Sequence, residues 1–141
     1  MSSIAGVIGF PTGGSYVASK FAVEALTESL AGEAAAWGIK VTMLEPGSFA
    51  TTFGSSTLFA PAQPEYDTLK SSIRAGFNQE NTGDPAATAD IILKLVDTSN
   101  PPLRLILGSS TLPMFKLIYK KRLDEWEAWS SLSNAAQKVS E

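Results

Sequence analysis

Residues 2–20 read SSIAGVIGFPTGGSYVASK, and residues 39–51 read IKVTMLEPGSFAT. The first stretch passes from a short apolar segment through a Gly-rich loop into a run that favours a helix. The second is a β-branched and apolar run that stops at a Pro-Gly turn, which is typical of a buried strand. We therefore predict the end of a strand and a loop within residues 1–14, then a helix, then a full strand at residues 39–45.

A long helix is predicted over residues 15–37, because Ser15 can cap its start and Gly38 follows its end. It has an apolar stripe on one face and a stripe of small residues on the opposite face. The apolar stripe consists of Val23, Leu26, Leu30, Ala34 and Trp37, and the small stripe of Ala18, Ala22, Ala25 and Ser29. A helix of this kind is usually covered on two sides, so we expect one side to meet a sheet and the other a partner helix.

The rest of the chain continues the alternation of helices and strands. The predicted elements are a helix around residues 64–78 inside a loop-rich segment at 48–83, a helix from Asp84-Pro85 to Asp97, a strand at 103–107, and a C-terminal helix with Leu112, Phe115, Tyr119, Leu123 and Trp126 on one face. The helix at 84–97 is predicted from a capping Asp followed by Pro. Strands that alternate with helices indicate an α/β fold, in which helical crossovers join parallel strands.

Composition narrows the class of protein. The chain has 141 residues, which suffice for one domain with a modest core. Its formal net charge is −3 without a basic patch, and no apolar run approaches the roughly 18 residues that cross a bilayer, so neither nucleic acid nor a membrane is an expected partner. Cys and His are absent, which excludes disulfides and Cys- or His-ligated metal sites and fits a cytoplasmic protein. Acid–base chemistry near neutral pH must then use Tyr, Lys, Asp or Glu.

Tyr16 and Lys20 are candidates for that chemistry. Four residues apart on a helix, they share one face, with β-carbons about 5–6 Å apart. A free tyrosine has a pKa near 10, so a tyrosine that acts near pH 7 needs its pKa lowered by about 3, which corresponds to about 4 kcal/mol. A cation about 4 Å away at an effective dielectric near 20 supplies roughly that energy. The pair therefore predicts an activated acid–base group.

The spacing by itself is weak evidence, because Tyr66 and Lys70 share it. We interpret that second pair as a surface tyrosine beside a lysine stem. The context separates the two pairs. Ser3 stands thirteen residues before Tyr16, whereas the residue thirteen before Tyr66 is Phe53, which has no hydroxyl.

The stretch from Ser2 to Thr51 resembles the second half of a short-chain dehydrogenase/reductase. That family has a Ser near the end of the fifth strand, Tyr-x-x-x-Lys on the next helix and Pro-Gly-x-x-x-Thr after the sixth strand, and all three occur here in order and at similar spacing. The resemblance covers about residues 2–108. It implies a partial Rossmann-type doubly wound parallel sheet that contains the end of the fifth strand, the sixth and seventh strands and their flanking helices. Residues 1–141 would form one partial domain, the C-terminal half of an NAD(P)-binding domain.

The resemblance also implies a reaction and the residues for it. The expected reaction interconverts a small-molecule alcohol and a carbonyl by hydride transfer with NAD or NADP. Tyr16 would move a proton to or from the substrate oxygen. Lys20 would lower the tyrosine pKa and bind the nicotinamide ribose. Ser3 would hydrogen-bond the substrate oxygen, and Ser2 stays open as an alternative that the spacing favours less.

The same resemblance implies a cofactor-binding set. Its members are Tyr16, Lys20, Pro46, Gly47, Phe49 and Thr51. Pro46 and Gly47 would shape the wall beside the nicotinamide. The Phe49 backbone and Thr51 would hold the carboxamide or phosphate side. Phe49 stands where the family often has Ile or Val, which is a mild change because the backbone makes the contact.

One departure from the family is large. The βαβ unit whose Gly-rich turn holds the pyrophosphate has no counterpart here, since no Gly-x-x-x-Gly-x-Gly follows a strand. Met1 fits the residue that precedes the Ser pair in the family, so we expect the chain to be truncated. We also expect no appreciable dehydrogenase activity from the chain alone and a homo-oligomer for the full-length form.

Two further interpretations stay open. The chain could be a non-catalytic fragment or pseudoenzyme that docks on a full-length relative through the small-residue face of helix 15–37. Its parent could also be a sugar-nucleotide epimerase or dehydratase, which uses a similar Tyr-Lys pair, although the short C-terminal region argues against that parent.

Overall fold

The computed structural model describes residues 1–76 and 82–137 of the chain. Its helices α1 to α6 are Gly14–Ala34, Phe53–Ser56, Asp67–Ala75, Thr88–Val96, Thr111–Ala128 and Ser130–Asn134, and its strands β1 and β2 are Met43–Pro46 and Arg104–Leu107. Short 3-10 turns occupy Ile4–Gly6, Ala35–Trp37 and Pro64–Tyr66. The helix predicted around 64–78 is present as the last of these turns and α3, and its final two positions lie outside the described residues.

The described residues contain one sheet, in which β1 and β2 pair in parallel. The register aligns Met43 with Arg104 and Pro46 with Leu107. The Ser2 amide donates to the Leu44 carbonyl at 2.9 Å, so the start of the chain runs beside the other edge of β1. The α/β fold class with parallel strands is confirmed. Of the strand end predicted within residues 1–14, this one backbone hydrogen bond is present. The 3-10 turn Ile4–Gly6 follows directly after it.

Helices cover both faces of this sheet. Successive side chains of a strand point to opposite faces, so Met43 and Leu44 lie on different sides. Helix α1 lies on the Met43 side, because its Glu24 bonds Arg104, the register partner of Met43. Helix α4 lies on the other side, where Leu95 and Leu44 line a common groove. This is the arrangement of a doubly wound fold.

A small apolar core lies between the N-terminal segment and helix α5. Val7, Ile8 and Phe115 are buried together there. The partly buried residues packed around them are Ile4, Ile106, Met114 and Ile118. Because Val7 and Ile8 follow Ser3 closely in sequence, this core fixes the segment that contains Ser3.

Helix α5 is the longest element after the sheet. Of the face predicted for it, Phe115 is buried, whereas Leu123 and Trp126 are exposed. In the described parts of the chain, neither α5 nor any other helix is long and apolar enough to cross a membrane.

Three predicted boundaries were wrong. Ser15 does not cap α1, which begins at Gly14 after Gly13 without a side-chain cap. The strand predicted at 39–45 is paired only from Met43, because its partner begins at Arg104. The helix predicted from Asp84 begins at Thr88. The Asp84 carboxylate accepts from the Ala86 amide at 2.8 Å and so caps a turn that precedes the helix.

The predicted contacts of α1 were also wrong. Leu26 is 72% exposed and Trp37 is 75% exposed, although both belong to the stripe expected to be covered. The small-residue stripe is exposed as well. The buried positions of α1 are Ala34, which is the one buried member of the apolar stripe, and Glu24, which belongs to neither stripe. A sheet of two strands reaches only one side of α1, and Glu24 is drawn to it by Arg104.

Candidate active site

Ser3 lies where the N-terminal segment leaves the edge of β1. It has an extended backbone with φ of −168° and is 7% exposed. Its Oγ accepts a hydrogen bond from the Ala5 amide at 3.2 Å and so caps the turn Ile4–Gly6. A hydroxyl can accept and donate at the same time, so the Ser3 O–H stays available as a donor. The Oγ of Ser2, the alternative residue, is buried without a partner among the described residues.

Gly6 packs this segment directly on α1. A Cβ added at Gly6 would lie 2.6 Å from Ser2 Oγ, 2.8 Å from Glu24 Cγ and 3.0 Å from the Lys20 carbonyl oxygen. Such distances leave no room for a side chain, so only glycine permits this approach. The close contact places the Ser3 segment beside the turn of α1 that contains Lys20.

Tyr16 and Lys20 stand in the first two turns of α1. The Lys20 Nζ lies 5.7 Å from the centroid of the Tyr16 ring, within the range of a cation–π contact. It also donates to the Met1 carbonyl oxygen at 3.5 Å. The Lys20 ammonium therefore lies between the Tyr16 ring and the start of the Ser3 segment.

Pro46 and Gly47 form the turn at the carboxyl end of β1. Pro46 is the last paired residue of the strand, and the Gly47 amide donates to the Leu107 carbonyl at 3.0 Å. A Cβ at Gly47 would overlap the hydroxyl of Thr111, which is almost completely buried at the start of α5. The turn is therefore fixed from both sides, by β2 and by α5.

The loop after this turn contains Phe49 and Thr51. Its backbone pairs with Gly83, whose amide donates to the Ser48 carbonyl at 2.8 Å and whose carbonyl accepts from the Ala50 amide at 2.9 Å. The Phe49 ring lies directly against Gly83, where a Cβ would collide with it. Thr51 is exposed, and its Oγ1 accepts from the Phe53 amide at 3.3 Å.

Phe53 connects this loop to Tyr16. The two ring centroids are 5.5 Å apart with an interplanar angle of 51°, a tilted aromatic contact. The structure thus brings together three segments that are distant in sequence. The Ser3 segment meets α1 at Lys20, and the loop after Pro46-Gly47 meets α1 at Tyr16. Sequence reasoning did not assign the contact of Phe53 with Tyr16.

A cluster of three carboxylates and one guanidinium lies between helix α1 and the two strands. Arg104 Nε donates to Glu24 Oε2 at 3.0 Å, and Arg104 Nη2 donates to Glu28 Oε2 at 2.8 Å. Glu45 Oε1 lies 3.5 Å from the same Nε. Glu45 is 2% exposed and Glu24 is 6% exposed. Within the described residues, the Oε1 atoms of both have no hydrogen-bond partner.

Burial, the largest cause, and the nearby Glu24 carboxylate raise the pKa of Glu45, and Arg104 opposes both effects, with a net result of about 7. The hydrogen bond from Arg104 and its positive charge lower the pKa of the exposed Glu28. The bond to Glu28 likewise raises the pKa of Arg104. A single cation thus contacts three acids, and the pKa of the most buried of them, Glu45, is raised.

Sequence reasoning missed this cluster, although one signal was present. The runs IKVTMLE and LRLIL were both predicted to be buried strands. Glu45 is the last residue of the first run, and Arg104 is the second residue of the other. A charged residue in a buried strand needs a partner, because a buried charge is costly unless it is paired. Glu24 could not be found in this way, since a glutamate on a long helix is usually solvated.

The residues present fit one end of a nicotinamide cofactor. The Lys20 ammonium has three donors, of which one reaches Met1, and the Ser3 hydroxyl keeps a free proton. At Gly47 the missing side chain makes room for the buried Thr111 hydroxyl, which packs against the turn. The chain has no Gly-rich strand-to-helix turn for a pyrophosphate. These residues would therefore hold the nicotinamide and its ribose, and they include no matching site for the pyrophosphate.

Comparison with known proteins gives a consistent result. The family model described as short chain dehydrogenase matches residues 1–59. Oxidoreductase BOA17 of Botryotinia fuckeliana is 33% identical over 96% of this chain and 51% of its own length. A 3-ketodihydrosphingosine reductase of Bacteroides thetaiotaomicron is 36% identical over 86% of this chain and 45% of its own. The crystal structure of a short-chain dehydrogenase from Streptomyces avermitilis superposes with a TM-score of 0.80 at 31% identity, over 96% of this chain and 50% of that one.

The chain belongs to the short-chain dehydrogenase/reductase family. It spans about half the length of the curated relatives that it matches. The predicted family is confirmed, and so is the Rossmann-type fragment, because a two-stranded parallel sheet with helices on both faces superposes on half of a family structure.

Proposed function

We propose that this chain supplies the substrate half of an NAD(P)-dependent oxidoreductase that interconverts an alcohol and a carbonyl. One observation supports this proposal above the others. At Gly6 the Ser3 segment packs against α1 near Lys20. Phe53, which follows the Pro46-Gly47 turn, contacts the same helix at Tyr16. The three parts of the family motif therefore converge at the carboxyl end of β1, where ligands of doubly wound folds bind.

In this proposal Tyr16 acts as the general acid of carbonyl reduction. Its hydroxyl donates a proton to the substrate oxygen, and in alcohol oxidation it takes that proton back. A positioned acid or base of this kind contributes about 10²–10⁴-fold to the rate. The Lys20 ammonium stabilises the phenolate that forms when the proton leaves. The Ser3 hydroxyl donates a hydrogen bond to the substrate oxygen and orients it toward Tyr16.

The cofactor would supply the hydride. Lys20 would hold its nicotinamide ribose, Pro46 and Gly47 would line its ring, and the Phe49 backbone and Thr51 would hold its carboxamide or phosphate side. The choice between NAD and NADP lies outside these residues. A relative whose name states that it reduces a keto group supports a carbonyl compound as the substrate class.

The test uses a fusion that adds the half of a relative that this chain does not span. The first half of the Streptomyces avermitilis dehydrogenase is joined to residues 1–141, and oxidation of NADH or NADPH is followed by absorbance with a panel of aldehydes and ketones. We expect turnover by the fusion and none by the 141-residue chain alone. A fusion that unfolds cooperatively on heating, binds cofactor and turns over none of the panel would count against the proposal.

A second candidate function is a non-catalytic piece that docks on a full-length relative. The observation that favours it is the exposed surface of α1, where Leu26 and Trp37 face solvent together with the small-residue stripe. Co-purification of the chain with a full-length relative, lost in a Leu26→Glu variant, would support docking. A cytoplasmic location and a homo-oligomeric full-length form stay predictions.

A further inference from the structure

The Nε atom of Arg104 has two carboxylates competing for it. Glu24 Oε2 accepts from it at 3.0 Å, and Glu45 Oε1 lies 3.5 Å away. One N–H cannot serve both acceptors well. Nη2 of the same guanidinium donates to Glu28 at 2.8 Å, so the Nε donor is the one that Glu24 and Glu45 both approach.

The acids in this cluster belong to different elements. Glu24 and Glu28 are on α1, one and two turns after Lys20. Glu45 is on β1 and directly precedes Pro46, and Arg104 is on β2. The contact of Arg104 with Glu24 therefore joins the helix of Tyr16 and Lys20 to β2, and the 3.5 Å contact of Arg104 with Glu45 links both to β1, the strand that ends at Pro46.

The charge balance depends on the proton of Glu45. With all three carboxylates ionised, the cluster holds three negative charges against one positive charge, and two of the acids are nearly inaccessible to water. Unpaired buried charges are strongly unfavourable. A proton on Glu45 leaves the Nε donor to Glu24. Without that proton, Glu45 competes for Arg104, and the Glu24 carboxylate loses its only side-chain hydrogen bond among the described residues.

Protons can reach Glu45 from one side. A groove of about 310 Å³ is bordered by Glu45 and Arg104, and by Lys116 and Tyr119 of α5. Arg122 of the same helix donates to the Val7 carbonyl at 3.3 Å, and Val7 also borders the groove. The titratable groups that face Glu45 are thus two acids of α1, Arg104 of β2, and Lys116 and Tyr119 of α5.

We propose that Arg104 is a positioning residue, which holds Glu24 on the helix of Tyr16 and Lys20 against the sheet while Glu45 is protonated and loosens that contact when Glu45 ionises, with its bond to Glu28 on the same helix retained. The consequence for catalysis rests on the proposed function, because it concerns the spacing between Tyr16 and the Pro46-Gly47 turn. The structural part of the proposal is independent of the proposed function, because it concerns only the contact between α1 and the sheet.

The experiment uses the 141-residue chain without cofactor or substrate. The side-chain carboxyl signal of Glu45 is followed by ¹³C NMR between pH 4 and pH 9. Because the chain contains no cysteine, Ala25→Cys and Ser109→Cys also place two spin labels at exposed positions, one on α1 and one after β2, and their distance distribution is measured by pulsed EPR.

We expect Glu45 to titrate near neutrality and the distance distribution to widen over the same pH interval. In Glu45→Gln, which copies the protonated form, the distribution stays narrow at every pH. The matched control Glu65→Gln removes an exposed carboxyl and keeps the pH dependence of the parent chain.

From the raised pKa of Glu45, the unfolding equilibrium constant of the parent chain rises by up to about two orders of magnitude between pH 4.5 and pH 7, and that rise is absent in Glu45→Gln.

A Glu45 signal that titrates near the ordinary value for glutamate overturns the proposal. So does a label distance that is independent of pH, or one that changes equally in Glu45→Gln. These results leave the hydride-transfer proposal untouched, and a fusion without turnover leaves this experiment untouched, so the two failures are distinguishable.

Discussion

Two Tyr-Lys pairs with the same spacing stand in this chain, and their surroundings differ. Tyr16 contacts Phe53 at 5.5 Å between ring centroids, and Lys20 reaches the Met1 carbonyl. Tyr66 ends a 3-10 turn before the short helix α3 and is 51% exposed. Residue spacing therefore does not define a site. What distinguishes Tyr16 and Lys20 is that two other segments of the chain pack against their helix at those residues.

The comparison also shows how each helix is held. Helix α1 has 21 residues and is fixed to the sheet through Glu24 and Arg104 and to the Ser3 segment through Gly6. Helix α3 has nine residues, none of them buried. A catalytic group must keep its geometry within a fraction of an ångström, and only the first helix is restrained well enough for that.

The largest expected effect comes from removing each tyrosine hydroxyl in the fusion. Tyr16→Phe deletes the proposed proton donor, so we expect kcat to fall by about 10²–10⁴-fold. Tyr66→Phe is the matched control and leaves kcat within about twofold, since its hydroxyl is at an exposed site. Steady-state oxidation of the reduced cofactor, NADH or NADPH, measures kcat of both variants. Equal losses in the two variants would remove the distinction between the pairs.

A smaller effect is expected from the lysines. Lys20→Met keeps the length of the side chain and removes its charge, so we expect weaker cofactor binding and slower turnover, with kcat/KM for the cofactor lowered about 10–100-fold, or about 1.4–2.8 kcal/mol. Lys70→Met serves as the control and has little effect. Cofactor fluorescence titration of both variants separates binding from chemistry, and an unchanged Kd and kcat in Lys20→Met would contradict the assigned role.

The smallest effect is on stability. Gly6→Ala places a methyl group within 3 Å of Ser2 and Glu24, which we expect to lower the free energy of unfolding by about 1–3 kcal/mol. Gly9→Ala is the control, because a Cβ there meets no atom within 4 Å, and it leaves stability within about 0.5 kcal/mol or raises it. Urea denaturation of the 141-residue variants measures the difference. A Gly6→Ala chain as stable as Gly9→Ala would show that the contact is not tight in solution.

Much of the fold was predictable because its signals are local. The long helix before Gly38, the strand before Pro46 and the strand before Gly108 each follow from a run of apolar residues that ends at a turn residue. The boundaries were less predictable. Thr42 and the residues before it have strand-like composition, yet pairing begins only at Met43, because the length of the partner strand decides it.

The contacts between elements were not predictable from one sequence. The face of α1 that packs inward depends on the width of the sheet beside it, which local patterns do not reveal. Glu24 and Arg104 are 80 positions apart, and no periodicity links them. The positions of Ser3, Tyr16 and Lys20 were recognised from the family motif, and their catalytic roles stay predictions.

The most direct test of the central claim is isotope transfer by the fusion. The fusion is given the reduced cofactor that it oxidises, NADH or NADPH, with deuterium at the transferable position, together with a ketone that it reduces, and the alcohol is examined by mass spectrometry. We predict deuterium on the carbinol carbon of the product, with almost none formed when Tyr16 is replaced by Phe or when residues 1–141 are omitted. An alcohol without deuterium, or labelled alcohol formed equally fast without Tyr16, would contradict the account.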